Sequence, residues 1–265
     1  MKAILTSIFS LVLLSAFGQN RPEIHCKHFF LGYPFGAPAT NDLIIQDSYA
    51  LSSNDDTKFA DWVAYRLTVH EVDGDIGLDR NWKSEQWLDK DETLEASDYK
   101  GANGTHDYER GHQAPLGSFK RSVYASQTNH LSNITPQKSD LNQGPWKELE
   151  ANIRELVMKG NAVYVMTGPL YERAMPELPK ADEPHKVPSG YWKVVIMPTG
   201  SSSFEYAAFI MDQNSGRKDK VSSKAVTIDE VEQRSGLDLL WELDDSTESD
   251  LESKKNTNWI LTWAD

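Results

Sequence analysis

The run Asp140-Leu141-Asn142-Gln143-Gly144-Pro145-Trp146-Lys147-Glu148-Leu149-Glu150 opens the clearest helical pattern in the chain. From Pro145 onward, Trp146, Leu149, Ile153, Leu156 and Val157 recur at helical spacing, and Pro145 suits the first turn, where its missing N–H has no partner to lose. Gly160 marks the end of that pattern. On both sides the period shortens to that of strands. Downstream, residues 162–167, 191–198 and 204–211 read as strands separated by Pro/Gly-rich loops. Upstream, residues 43–45, 49–51 and 62–69 do the same, and in the last of these Val63, Tyr65, Leu67 and Val69 fall on one face. Residues 73–100 are charged, poor in apolar side chains and expected to be irregular. Thr227-Ile228-Asp229-Glu230 has the form of a capping box opening a helix that Gly236 ends. Neither a repeat nor a linker interrupts the series, so one α+β domain over residues 19–265 is expected. Its tail, from about Glu242, is acidic and Ser-rich, although Trp259, Ile260 and Trp263 predict that its end docks on the body.

The chain has 265 residues, of which 39% are hydrophobic, so a sizeable core can form. One cysteine, Cys26, excludes an intramolecular disulfide and a Cys-rich zinc module. Met1 and Lys2, an apolar run over 3–17 and small residues at Ala16 and Gly18 read as a secretory signal peptide over 1–18, cut near 18–20. The run falls short of the roughly 20 residues needed to cross a bilayer. A secreted or periplasmic protein without a membrane anchor is therefore expected.

Forty acidic against 27 basic side chains give a net charge of −13, which as an average argues against a polyanionic partner. The average conceals a cationic window. Between positions 110 and 147 lie Arg110, Lys120, Arg121, Lys138 and Lys147, opposed only by Asp140. The same window holds Arg110-Gly111-His112, with Glu109 just before it, then Asn133, Asn142 and, beyond it, Glu150. Phosphodiester hydrolysis needs these residue types. Neutral His can take a proton from water, Arg and a hard divalent cation can stabilise charge on the phosphate, and an Asn carbonyl oxygen with nearby carboxylates can serve such a cation. Arg110 and His112, two apart, would point the same way from an extended strand.

The series from Thr135 to Gly144, together with Arg80-Asn81-Trp82-Lys83, Asp98-Tyr99-Lys100-Gly101-Ala102-Asn103, Thr167-Gly168-Pro169-Leu170-Tyr171-Glu172-Arg173 and Tyr191-Trp192-Lys193-Val194, resembles the sugar-nonspecific DNA/RNA endonucleases with a ββα-metal finger, specifically the Serratia type. The similarity runs in order from about Ile44 to Trp241. The resemblance implies a mainly antiparallel central sheet flanked by helices. It implies an endonuclease that cuts single- or double-stranded DNA and RNA without sequence specificity, leaving 5′-phosphate ends, with one Mg²⁺ that Mn²⁺ can replace; it leaves a homodimer open. Residue by residue it makes His112 the general base and Asn142 the direct metal ligand. Glu150 and Glu109 would act on the metal through water, and Arg110 and Arg80 would contact the scissile phosphate. Arg154, Asn133 and Lys138 become substrate-binding candidates, with an i,i+4 ion pair to Glu150 as the alternative for Arg154.

Glu109 stands where the family signature has Asp, one methylene shorter, and this keeps a second reading open: a catalytically impaired nuclease fold that binds nucleic acid. A third reading is a phosphodiesterase acting on another substrate. Cleavage of plasmid and RNA separates the three.

Overall fold

The computed structural model describes residues 21–74, 77 and 80–265. The leader expected over 1–18 lies outside the described residues. Strands β1 (Asp42–Ile45), β2 (Ala50–Asn54) and β3 (Phe59–Leu67) form an antiparallel meander. Helix α1 (Val69–Val72) follows at once, and here the expected strand is cut short. Thr68 caps the helix and Glu71 returns a bond to the Thr68 backbone, a complete capping box that turns Val69 from the sheet into a helix. After a largely irregular stretch come α2 (Ala102–His106) and β4 (Tyr108–His112). Next are β5 (Ile134–Lys138), α3 (Ser139–Gln143) and α4 (Pro145–Met158). Strands β6 (Val163–Leu170), β7 (Gly190–Pro198), β8 (Phe204–Asp212) and the short β9 (Ala225–Val226) lead to α5 (Ile228–Ser235), α6 (Asp245–Glu252) and α7 (Thr257–Ile260). The box expected at Thr227 is half formed: its hydroxyl accepts from the Glu230 N–H at 3.1 Å, and Gly236, at φ 75°, ends α5.

Seven strands form the main sheet in the order β1-β2-β3-β6-β7-β8-β9, every neighbouring pair antiparallel. Its strands alternate faces with period two. Val63, Tyr65 and Leu67 pack on one side with Trp146, Leu149 and Ile153 of α4 and with Ile260 and Trp263 of the tail. Trp62 and Ala64 pack on the other with Trp192, Val194, Ile228 and Val231. The tail therefore docks, as its aromatic residues predict. Because both faces are covered, α4 is fixed against the sheet along its whole apolar stripe.

β4 and β5 stand apart as a two-stranded antiparallel ribbon, with Arg110 opposite Pro136 and His112 opposite Ile134. The ribbon sits on a third apolar cluster that includes Phe59, Tyr99, Tyr108 and Ile134. Two polar contacts tie it to the main sheet: the Pro136 carbonyl accepts from the Tyr191 hydroxyl and from Gln213 Nε2, each at 2.7 Å. Gln213 Oε1 in turn accepts from the Lys138 N–H at 2.8 Å. With α3 and α4 this ribbon makes a ββα unit anchored to a rigid platform.

Candidate active site

Strand β4 presents Arg110 and His112 to a cleft of about 740 Å³. Helices α3 and α4 supply its other wall with Asn142, Gln143, Lys147, Glu150 and Arg154, and the irregular stretch adds Arg80, Trp82 and Tyr99. The two helices break at Gly144, where a Cβ would lie 2.3 Å from the Asp140 carbonyl and 2.7 Å from Arg217 Cα. Only glycine lets the chain turn there and place Asn142 ahead of α4.

His112 Nε2 lies 3.1 Å from Asn129 Oδ1. An amide oxygen only accepts, so Nε2 carries the proton and Nδ1 keeps its lone pair. The imidazole packs 5.4 Å from the Trp82 ring, tilted by 41° to it. Burial brings its pKa down to about 4, with Arg80 acting in the same direction and the Asn129 bond against it. At neutral pH the ring is uncharged and ready to accept a proton.

The Arg110 guanidinium lies between two aromatic rings, 5.3 Å from Trp82 and 5.1 Å from Tyr99, and its Nη2 donates to the Ala96 carbonyl at 2.8 Å. Stacking and that bond hold the fork in one orientation, so little freedom is left to lose when an anion binds.

Asn142 Nδ2 donates to Glu109 Oε2 at 2.7 Å, and Gln143 Nε2 donates to the other carboxylate oxygen. A carboxylate accepts only, so the bond turns the Asn142 amide nitrogen toward Glu109 and leaves its carbonyl oxygen available. Such an oxygen, with Glu150 in the same cleft, is the donor set that a hard divalent cation takes. Glu109 thus reaches Asn142 directly, and its extra methylene does not keep it from that contact.

Glu150 is held above the usual carboxylate range by burial, with Lys193 and Arg154 opposing. Lys193 rises from β7 into the core, fully buried, with its ammonium 4.4 Å from the Trp146 ring centroid and 3.4 Å from the Tyr65 hydroxyl. Burial lowers its pKa and Glu150 raises it. No ion pair within 4 Å joins Arg154 to Glu150 among the described residues; Arg154 instead lines the cleft beside Gly117.

Two expected contacts are not brought to the cleft. Asn133 is fully buried, and its amide is spent on the chain itself: Oδ1 accepts from the Ala114 N–H at 2.8 Å, while Nδ2 donates to the Ala114 and Thr128 carbonyls. Lys138 does not line the cleft and donates to Asn214 Oδ1 at 3.1 Å. The cationic window is likewise redistributed. Only Arg110 and Lys147 of its basic residues reach the cleft, where Arg80 and Arg154 join them, so four cations face Glu109 and Glu150.

Asn129 and Lys193 are the residues that the sequence reading missed in this role. A lone Asn in a polar stretch reads as a turn former, and a Lys within a strand reads as solvent-facing; only the tertiary fold shows their partners. A further buried group supports the cleft from behind. Glu85, 2% exposed, accepts from Gln46 Nε2 at 3.1 Å, His130 Nδ1 at 2.9 Å and Ser132 Oγ at 3.1 Å. It ties the segment carrying Arg80 and Trp82 to the one carrying Asn129, which also bond through their backbones at Lys83.

Residues 30–246 match the model of the DNA/RNA non-specific endonuclease family. The nuclease of Serratia marcescens is 43% identical over 226 residues, 84% of either chain. Nuclease C1 of Cunninghamella echinulata var. echinulata is 32% identical over 237 residues, 82% of this chain and 90% of its own. The crystal structure of the EndoG/EndoGI complex shares the fold, with a TM-score of 0.69 at 24% identity over 81% of this chain and 90% of that one. On a family match that spans both the ββα unit and the main sheet, this chain belongs to the DNA/RNA non-specific endonucleases.

Proposed function

We propose that the cleft hydrolyses phosphodiester bonds of DNA and RNA, single or double stranded, with Mg²⁺ as the cofactor and Mn²⁺ as a substitute, leaving 5′-phosphate ends. The observation that carries this reading is the joint placement in one cleft of a neutral His112, a stacked Arg110 and an Asn142 whose carbonyl oxygen is kept available by Glu109. His112 Nδ1 takes the proton of the attacking water, while the bond from Nε2 to Asn129 keeps the ring from rotating. Arg110 and Arg80 face the negative charge that builds on the phosphate, and the fixed fork of Arg110 needs no reorganisation as it does so. Asn142 would hold the cation, which when bound neutralises further phosphate charge. Glu150, on the same wall, would orient water on that side, and Arg154 and Lys147 extend contact along the polymer. All of these contacts address the backbone, which suits a reaction indifferent to sugar and base. The intact bond from Glu109 to Asn142 favours the enzyme over the impaired, binding-only reading. The apolar leader segment supports export from the cytoplasm.

The test incubates purified protein with plasmid and with RNA, in Mg²⁺ and in EDTA, beside His112→Ala. Wild type should cut both polymers only with Mg²⁺, and His112→Ala should be slower by about 10²-fold or more. If wild type and variant leave both polymers equally intact, the reading fails.

A further inference from the structure

On the sheet face opposite α4, helices α5 and α6 meet through carboxylates. Asp229 and Glu232 come from α5 and Glu252 from the end of α6, and one oxygen of each lies within 4.8 Å of the others. Glu252 is 5% exposed, and its Oε1 has no hydrogen-bond partner. Glu248, one turn earlier on α6, also buries an unpartnered oxygen. Glu232 spends one oxygen on the Leu239 N–H at 2.7 Å, which aligns its carboxylate. Arg21, which lines one depression with Glu232, is paired with Asp238, and Lys254, two residues after Glu252, is paired with Asp250.

Ionised carboxylates so placed repel one another and have lost most of their water, a cost that folding must offset with protons or with a metal ion. Burial, and after it the neighbouring carboxylates, push Glu232 up to about 7, against the Leu239 N–H bond, and Glu252 up to about 9. The geometry suits a metal: three hard oxygen donors converge from two helices, and one of them belongs to Glu252, which is buried and has an oxygen without a partner. Glu232, with Asp238, also lines an open depression of about 710 Å³. Ca²⁺ takes six to eight oxygens in irregular arrangements and can fill its remaining positions with water on the exposed Asp229 side, whereas Mg²⁺ demands a near-octahedral set.

We propose that Asp229, Glu232 and Glu252 form a Ca²⁺ site that fastens the acidic tail helix α6 to α5, separate from the catalytic cleft. The ion would act on stability and not on the reaction.

The experiment measures Ca²⁺ binding by calorimetry, and thermal unfolding at pH 8 with and without CaCl₂, for the full chain and three variants. A site with a Kd of about 0.5 mM, in about 5 mM CaCl₂, should raise the midpoint by roughly 3–6 °C in a domain of this size. The rise should persist in Asn142→Ala, which alters the catalytic cleft alone, and should vanish in Glu252→Gln and shrink in Asp229→Asn. Metal-free Glu252→Gln should itself unfold at a higher temperature than metal-free wild type, because at pH 8 folding must put a proton on the buried Glu252 carboxyl and the amide needs none. Two results would overturn the site: a wild-type midpoint unmoved by CaCl₂, meaning that the cluster holds protons only, or an equal rise in wild type and both carboxylate variants. Asp229 lies at the exposed rim, so Asp229→Asn keeps the test decisive even if Glu252→Gln folds poorly. Nuclease activity is not the readout, so failure here leaves the proposed reaction untouched.

Discussion

His112 and Glu150 face one cleft, and burial moves their pKa values past each other: the imidazole goes down to about 4, and the carboxyl up to about 7. A base must be neutral and a water-orienting carboxylate must be charged, so acid harms the site through both groups, but not at the same pH. As pH falls Glu150 protonates first, and the acid limb of kcat/KM, which reports the free enzyme, therefore belongs to Glu150. Glu150→Gln should be slow, yet its residual kcat/KM should persist down to about pH 4, where His112 takes its proton. A pH–rate profile with the same acid limb in both proteins would assign that limb elsewhere. The family resemblance, not residue type alone, singled out His112 and Asn142 as candidate base and ligand, and both line the cleft. Asn133, expected near the substrate, is instead buried, because an amide that staples backbone at Ala114 has the same letter as one that faces a cleft.

At the level of elements, the periodicities of the main sheet and of α4 are legible because each buries one face or stripe, and apolar residues must then repeat with the geometry of the backbone. What escaped was decided by one polar cap and one steric close approach. Thr68 and Glu71 end β3 two residues before its apolar alternation does, and Gly144 splits the helical wall into α3 and α4. That break places Asn142, so it predicts a specific failure. In Gly144→Ala the new Cβ meets backbone at Asp140 and Arg217, atoms that cannot swing aside as a side chain could. The variant should lose about 2 kcal/mol in urea unfolding. It should also need more Mg²⁺ for half-maximal cleavage, because Asn142 shifts with the turn. Wild-type stability together with a wild-type metal titration would show that the turn tolerates the methyl group.

Across the whole molecule, charge is segregated. A chain of net −13 gathers Arg80, Arg110, Lys147 and Arg154 on one cleft, while carboxylates crowd the far face at α5 and α6. A polyanion should therefore be drawn to one site and repelled by the rest of the surface. If the four cations each meet a phosphate, the logarithm of kcat/KM should fall against the logarithm of salt concentration with a slope of about −3 to −4 under subsaturating conditions. Arg154→Ala should flatten that slope by about one, measured on plasmid from low to moderate NaCl. A slope that the substitution leaves unchanged would place Arg154 outside the path of the polymer. The linear count of charges could not reveal this set, because Arg80 and Arg154 lie outside the cationic window and join it only through the fold.

Lys193 links the hydrophobic interior to the chemistry. Its ammonium is sealed between Trp146 and Tyr65 on the sheet side of α4, and its field lowers the pKa of Glu150 on the cleft side of the same helix. Removing one partner of a buried charge pair leaves the other uncompensated and is strongly destabilising. Lys193→Met should therefore lower the thermal unfolding midpoint at neutral pH while moving the acid limb of kcat/KM upward, since Glu150 loses the nearby positive charge. Selection for heat resistance alone would keep the lysine, and in keeping it would also hold the enzyme's working range closer to neutrality.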